Sequence, residues 1–132
     1  MKLLTHNLLM CNKKTCMNTG VKNFPLMLRC DKWADYDDDT AIECTKALML
    51  RLAEKLDWPA LKETLAMLDW GVTGLPEMFD ENMMENEQMM RDLHLVLVKR
   101  QIVEGAMKCP HCARVYEIKN GIPNMLLDET EV

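Results

Sequence analysis

Cys109-Pro110-His111-Cys112-Ala113-Arg114-Val115-Tyr116-Glu117-Ile118-Lys119-Asn120-Gly121 is the stretch on which the fold turns. Two thiols two residues apart on a tight turn aim at one metal ion, and a Cys-Pro-x-Cys turn between strands does this with its backbone amides pointing at the sulfurs. After it, Arg114 to Ile118 alternates polar and apolar, and Asn120-Gly121 is the strongest short hairpin signal. Tetrahedral zinc wants four ligands, and the other pair is Cys11-x4-Cys16, at the opposite end of the chain. One ion shared by Cys11, Cys16, Cys109 and Cys112 pins the termini together and turns everything between them into an insertion. Four sulfurs leave no open position for water or substrate, so such a metal is structural. Buried thiols without metal are the plain alternative.

The same four letters, Cys-Pro-His-Cys, occur in thiol-disulfide oxidoreductases. That chemistry needs a long helix after the pair, whose dipole stabilises the first thiolate. Here a strand-like segment and a turn follow, so the redox reading lacks its structural context. Cys30 and Cys44 read as ordinary small apolar side chains.

Composition narrows the class. The 132 residues suffice for one domain with a real core, and 48% hydrophobic with 28% charged content is globular. Aromatics are only 5%, so aliphatics and thirteen methionines fill the core, the methionines being adaptable gap-fillers. A net charge of −5 gives no global cation field for phosphates. An RNA-binding zinc ribbon is the competing class, with Lys13, Lys14 and Lys22 as a local basic patch. The first ten residues make a poor signal peptide, and no apolar run approaches the ~20 residues of a membrane span. Reduced cysteines in a soluble intracellular protein are the expectation.

Along the chain, residues 2 to 10 fit a short strand, and Phe24 to Cys30 a second, limited by Pro25 to a strand start or edge. Asp31 to Asp39 reads as an acidic turn leading to a capping box, Thr40 with Glu43, and a helix over the apolar positions Ile42, Leu48, Met49, Leu52 and Leu56. Pro59 opens a second helix with Leu61, Leu65 and Leu68 on one face, ended by Gly71. A third begins near Asn86 with Met89, Met90 and Leu93 on one side, giving way to a strand near Leu97 that runs to Lys108, with a bulge or bend at Gly105. The return limb of the hairpin is Ile122 to Leu127. The fold is therefore α+β: residues 1–30 plus 97–127 form a small antiparallel zinc-ribbon-like module, 31–96 an inserted helical lobe, and 128–132 a flexible acidic tail.

No catalytic constellation is visible: there is no phosphate cradle, no nucleophile elbow and no base beside a nucleophile. His6, His94 and His111 are scattered, and the acidic run lacks the glycine and distal glutamate of a calcium loop.

Met1-Lys-Leu-Leu-Thr-His-Asn7, Phe24-Pro25-Leu26, Val103-Glu104-Gly105, Cys109-Pro110-x-Cys112 and above all Asn120-Gly-Ile-Pro-Asn-Met-Leu-Leu127 resemble the small multifunctional methyltransferase-activating subunit family of eukaryotes and archaea. The resemblance spans the chain, although 31–92 matches only in pattern. It implies one structural zinc held by both termini, and a protein that is not an enzyme. Such a protein activates and stabilises several S-adenosylmethionine-dependent methyltransferases as heterodimers, binding by strand addition. Through them it serves modification of tRNA, rRNA and a translation release factor, in cytoplasm and nucleus, with nucleic acid contacted mainly through the partner. The expected docking surface is Thr5, His6, Asn7, Leu8 and Leu9 beside Ile122, Pro123, Asn124, Met125 and Leu126, with Met125 as the exposed apolar residue at its centre. An apolar sheet edge suits that role, because backbone pairing is largely blind to sequence.

Overall fold

Antiparallel pairing gathers both halves of the chain into one sheet. In order, the elements are α1 (Leu3–His6), β1 (Met27–Asp35), α2 (Lys46–Lys55), α3 (Trp58–Leu68), α4 (Glu87–His94), β2 (Arg100–Lys108), β3 (Val115–Lys119) and β4 (Ile122–Pro123), with 3-10 turns at Lys14–Cys16 and Glu81–Glu85. The sheet order is β1-β2-β3-β4, antiparallel throughout. The structure, a computed structural model, describes all residues except 19, 21, 36–44, 69, 73–74, 128 and 130–132.

The Asn-Gly turn closes as read. Lys119 pairs with Ile122, and Asn120 (φ 53°) and Gly121 (φ 77°) both take the left-handed conformation that a two-residue hairpin needs. β3 alternates strictly: Tyr116 and Ile118 are buried while Val115, Glu117 and Lys119 face solvent. With Leu28, Ile102 and Met107 they form the inner face of the sheet, and the same apolar cluster takes in Met49, Leu61, Leu65, Leu93 and Leu97 from the helical part. The lobe and the sheet thus share one core. Each fully buried aliphatic side chain contributes roughly 1.5–3 kcal/mol to it.

Several expectations shift. Residues 2 to 10 do not make a strand: Leu3–His6 is one helical turn, which puts Leu3 and His6 inside at helical spacing and leaves Thr5 outside. A short apolar run fits either period, and packing chose. Only Met1 behaves like a strand, exchanging hydrogen bonds with Ile102 (2.7 and 2.8 Å) and donating to Gly121 O at 2.8 Å, which sets α1 beside the hairpin turn.

β1 runs on to Asp35, through what reads as the start of an acidic turn. Pairing with β2 supplies the backbone partners, while the charges point outward or find cations: Lys32 faces Glu104 and Asp35 faces Arg100, with register shifts between Cys30 and Trp33. α2 starts at Lys46, where the Thr45 hydroxyl accepts from Leu48 N at 3.2 Å. Thr45 therefore caps this helix; the expected capping box of Thr40 with Glu43, and Cys44, lie outside the described residues. α3 places Pro59 in its first turn, with Asp57 Oδ1 accepting from Ala60 N at 3.1 Å. α4 is capped by Asn86, whose Oδ1 accepts from Met89 N at 3.2 Å.

The helix does not yield to strand near Leu97. It widens into a π turn, Leu95–Lys99, and the strand begins at Arg100. Leu93, Val96 and Leu97 are each 1% exposed. Spaced three and four apart, they fill the core only as helix. The sheet therefore reaches to Asp35 and starts again at Arg100, rather than stopping at residue 30 and resuming at 97.

Arg100 fixes that end of the sheet. Its Nε and Nη2 donate to the two Asp35 carboxylate oxygens at 2.7 and 3.0 Å, and its guanidinium lies 3.8 Å from the Trp33 ring centroid and 5.0 Å from that of Trp70. Cys30 lines an open cavity of about 590 Å³ beneath this cluster, with Leu28, Trp33, Met67 and Trp70. The Arg100 hydrogen bonds hold the Asp35 carboxyl below its usual range. A lowered folded value means that the pair stabilises above the unfolded carboxylate pKa of about 3.9 and loses this as pH falls through the folded value. Arg100→Met, which keeps the apolar stem, is expected to cost about 1–2 kcal/mol at neutral pH and to flatten that acid limb, as read by urea unfolding at pH 7 and pH 3.

Candidate metal centre and docking edge

Two short loops converge on one point. The Cys109 to Cys112 turn is closed by Cys109 N donating to Arg114 O (2.9 Å) and Ala113 N donating to Cys109 O (3.1 Å), with Ala113 at φ 63°. The amides of His111 and Cys112 point at Cys109 Sγ, at 3.3 and 3.4 Å. This is the amide-to-sulfur geometry that neutralises a thiolate. The Cys11 to Cys16 loop is wound by the 3-10 turn at Lys14–Cys16 and anchored by Cys11 N donating to Asn23 O at 3.1 Å.

Cys11 Sγ lies 3.7 Å from Cys112 Sγ, Cys16 Sγ lies 3.9 Å from Cys109 Sγ, and all four sulfurs fall within 4.8 Å of one another. A tetrahedral ion with metal–sulfur bonds of about 2.3 Å requires sulfur–sulfur edges of about 3.8 Å. A disulfide would bring the sulfurs to about 2.05 Å. The four cysteines therefore fit a metal and not a pair of disulfides. Burial pushes the Cys16 thiol up to about 12 and raises Cys109 as well. Cys112 feels burial upward too, yet the Arg114 amide and the neighbouring thiols bring it down to about 7. Such a cluster ionises fully only around a cation. The strand β3, not a helix, follows the pair, so the helix dipole of a redox dithiol is missing.

Three residues around the sulfurs escape sequence reading. Tyr116, fully buried, places its hydroxyl 3.1 Å from Cys11 Sγ and donates to Asn12 Oδ1 at 2.9 Å, while Asn12 N donates back to it at 3.3 Å. Arg114 covers the Tyr116 ring, 4.3 Å from its centroid. The available signal was the alternation that turns Tyr116 inward, since a buried tyrosine hydroxyl needs a partner. His111 is exposed, with Nδ1 3.3 Å from Cys16 Sγ.

The edge beside this centre is β4, which pairs only with β3. It is shorter than the expected Ile122 to Leu127 limb: pairing ends at Pro123, and Asn124 N adds one bond to Glu117 O at 2.9 Å. Ile122 is 69% exposed, Leu126 80% and Leu8 69%. Thr5 and Asn124 are exposed as well, and Leu9 and Pro123 are half-buried. Met125, expected at the exposed centre, is half-buried against the core, so Leu126 and Ile122 take that place. His6 and Asn7 turn inward. His6 Nε2 lies 2.8 Å from Leu26 O, while Asn7 donates to Asp57 O (3.0 Å) and accepts from Asp57 N (2.8 Å), clamping α1 to the start of α3. Their side chains serve the fold rather than the surface.

Comparison with known proteins agrees with this architecture. The family model described as Trm112p-like protein matches residues 2–121. The multifunctional methyltransferase subunit TRM112 of Saccharomyces cerevisiae is 38% identical over 138 residues, covering 96% of each chain. The trm112 subunit of Schizosaccharomyces pombe is 36% identical with full coverage of both, and the TRM112-like protein of Bos taurus 34% identical over 99% of this chain and 98% of its own. Among solved structures, a chain of the E. cuniculi Mtq2–Trm112 complex, responsible for methylating the eRF1 translation termination factor, shares the fold with a TM-score of 0.52 at 24% identity, covering 96% of this chain and 95% of that one. With a four-cysteine cluster joining its two ends, an inserted helical lobe and full-length relatives above 30% identity, this chain belongs to the Trm112p-like protein family.

Proposed function

We propose that this chain is a non-catalytic subunit that activates and stabilises several S-adenosylmethionine-dependent methyltransferases, each as a heterodimer. The observation that carries the reading is the exposed apolar edge of Ile122 and Leu126 next to a closed four-sulfur centre. The metal set leaves no position for substrate, while the edge offers a partner exposed apolar side chains beside the last strand of the sheet. The relatives are named methyltransferase subunits, and the similar solved fold sits in a complex with Mtq2. The ion is one structural zinc held by Cys11, Cys16, Cys109 and Cys112, as four thiolates favour. Thr5, Leu8, Leu9, Pro123 and Asn124 flank the apolar pair on the docking surface. The partners modify tRNA, rRNA and a translation release factor in cytoplasm and nucleus, and nucleic acid is met mainly through them.

Ile122→Glu with Leu126→Glu tests this in the full chain, because both side chains already face solvent and the fold does not need them. Affinity capture should then lose its methyltransferases by at least about tenfold, since two desolvated apolar contacts are replaced by buried charges, while zinc stays at one per chain. Undiminished capture would sink the assignment.

A further inference from the structure

We propose that Asn12 and Arg114 are positioning residues that tie the segment 124–127 to the metal centre, so that metal occupancy sets the order of this segment. The inference rests on the docking role of Ile122 to Leu126 only for its consequence in partner affinity.

Past Asn124, whose N still donates to Glu117 O on β3, the chain leaves the sheet and the ladder no longer fixes it. Two side chains take over. Asn12 Nδ2 donates to Met125 O at 2.9 Å and Arg114 Nη2 donates to Leu126 O at 3.0 Å, so two consecutive carbonyls are held. The Leu126 amide is turned back onto Asn124 Oδ1 at 3.1 Å. Asn12 directly follows the ligand Cys11, and Arg114 stands two residues after the ligand Cys112.

The two donors are locked to each other through Tyr116. Its hydroxyl touches both Cys11 Sγ and Asn12, and its ring lies under the Arg114 guanidinium. The Cys11 loop and the Cys112 turn come from opposite ends of the chain, and three buried thiols and one half-buried thiol attract one another only weakly. A cation between them fixes the distance from Asn12 to Arg114. Without it the loops separate, and the segment loses both donors together. By linkage, whatever metal does for partner affinity the partner does equally for metal affinity.

The test uses the full zinc-loaded chain and its captured methyltransferase. Asn12→Asp is isosteric and keeps the acceptor for Tyr116 while removing the donor to Met125 O; Arg114→Ala removes the other. Each should keep one zinc per chain yet raise hydrogen exchange at the Leu126 amide about fivefold, with the double variant rising further. Chelating the wild type should raise exchange at least as much as the double variant, and chelating the double variant should add little at the Leu126 amide, because the shared tie is already gone. Unchanged exchange in the double variant overturns the proposal, as does a full additional rise on chelation. Faster exchange with weaker partner binding supports both the tie and the docking role. Faster exchange with undiminished partner binding supports the tie and overturns the docking role.

Discussion

Removing zinc from the loaded chain with a strong chelator, or replacing a ligand by Cys109→Ser, is expected to release both ends of the molecule together. Cys11, Cys16 and Cys109 are at most 1% exposed and sit within the main apolar cluster. They join segments that otherwise meet through Met1, through the Asn12 and Tyr116 hydrogen bonds and through packing. Structural zinc sites contribute apparent binding energies of about 10–16 kcal/mol in small peptides, comparable with the whole 5–15 kcal/mol of a typical domain. The expected loss here is at least about 4 kcal/mol, since the shared helical core persists in part. Differential scanning calorimetry against zinc content reads it, and exchange should rise jointly at residues 11–16 and 109–116. Because burial raises Cys16 and Cys109, binding must displace their protons. Zinc retention should therefore fall steeply as pH is lowered, as measured by chelator competition. A chain that keeps its melting temperature with zinc gone would refute the shared centre.

Gly105→Ala is expected to cost about 3 kcal/mol, or roughly 10 °C in melting temperature. A β-carbon at Gly105 would lie 2.2 Å from Arg29 O, 3.2 Å from Arg29 C and 3.3 Å from Cys30 Cα, all backbone atoms. No side chain can turn aside to make room. β1 must move off β2 at the point where Cys30 faces Gly105, next to the register shift that already bends β1. The glycine is needed for close approach of two strands, not for an unusual dihedral. Glu104→Ala, whose side chain faces solvent, should stay within about 0.5 kcal/mol. Equal melting temperatures for the two variants would show that the strands separate freely.

Much of the site was legible because its signals are local. A Cys-Pro-x-Cys turn, an Asn-Gly dipeptide and a strict alternation each constrain only a few neighbouring residues. Asn86 and Pro59 marked helix starts for the same reason, since capping and the missing proline donor act within one turn. The misreadings occurred where two periods compete. Leu3 to His6 suits strand or helix equally, and Leu93 to Leu97 likewise, until the core requires helical spacing. Asp31 to Asp35 reads as turn because charge suggests exposure, whereas a strand with one solvated face needs only a partner for its backbone. His6 and Asn7, taken for surface, are polar groups that the fold consumes on Leu26 and Asp57, carbonyls and amides that no local pattern reveals.

The sequence by itself determined the four-cysteine cluster, the hairpin turn and the α+β class, since each rests on residue type and short spacing. Only the tertiary structure decided which side chains of this edge stand exposed, because exposure depends on what packs from elsewhere: Met125 is half-covered while Leu126 and Ile122 are bare. It also decided that Asn12, Tyr116 and Arg114 stand between the sulfurs and the edge. That arrangement exists only when residues from opposite ends of the chain are brought within hydrogen-bond reach, and hydrogen bonds act over about 3 Å whatever their separation in sequence.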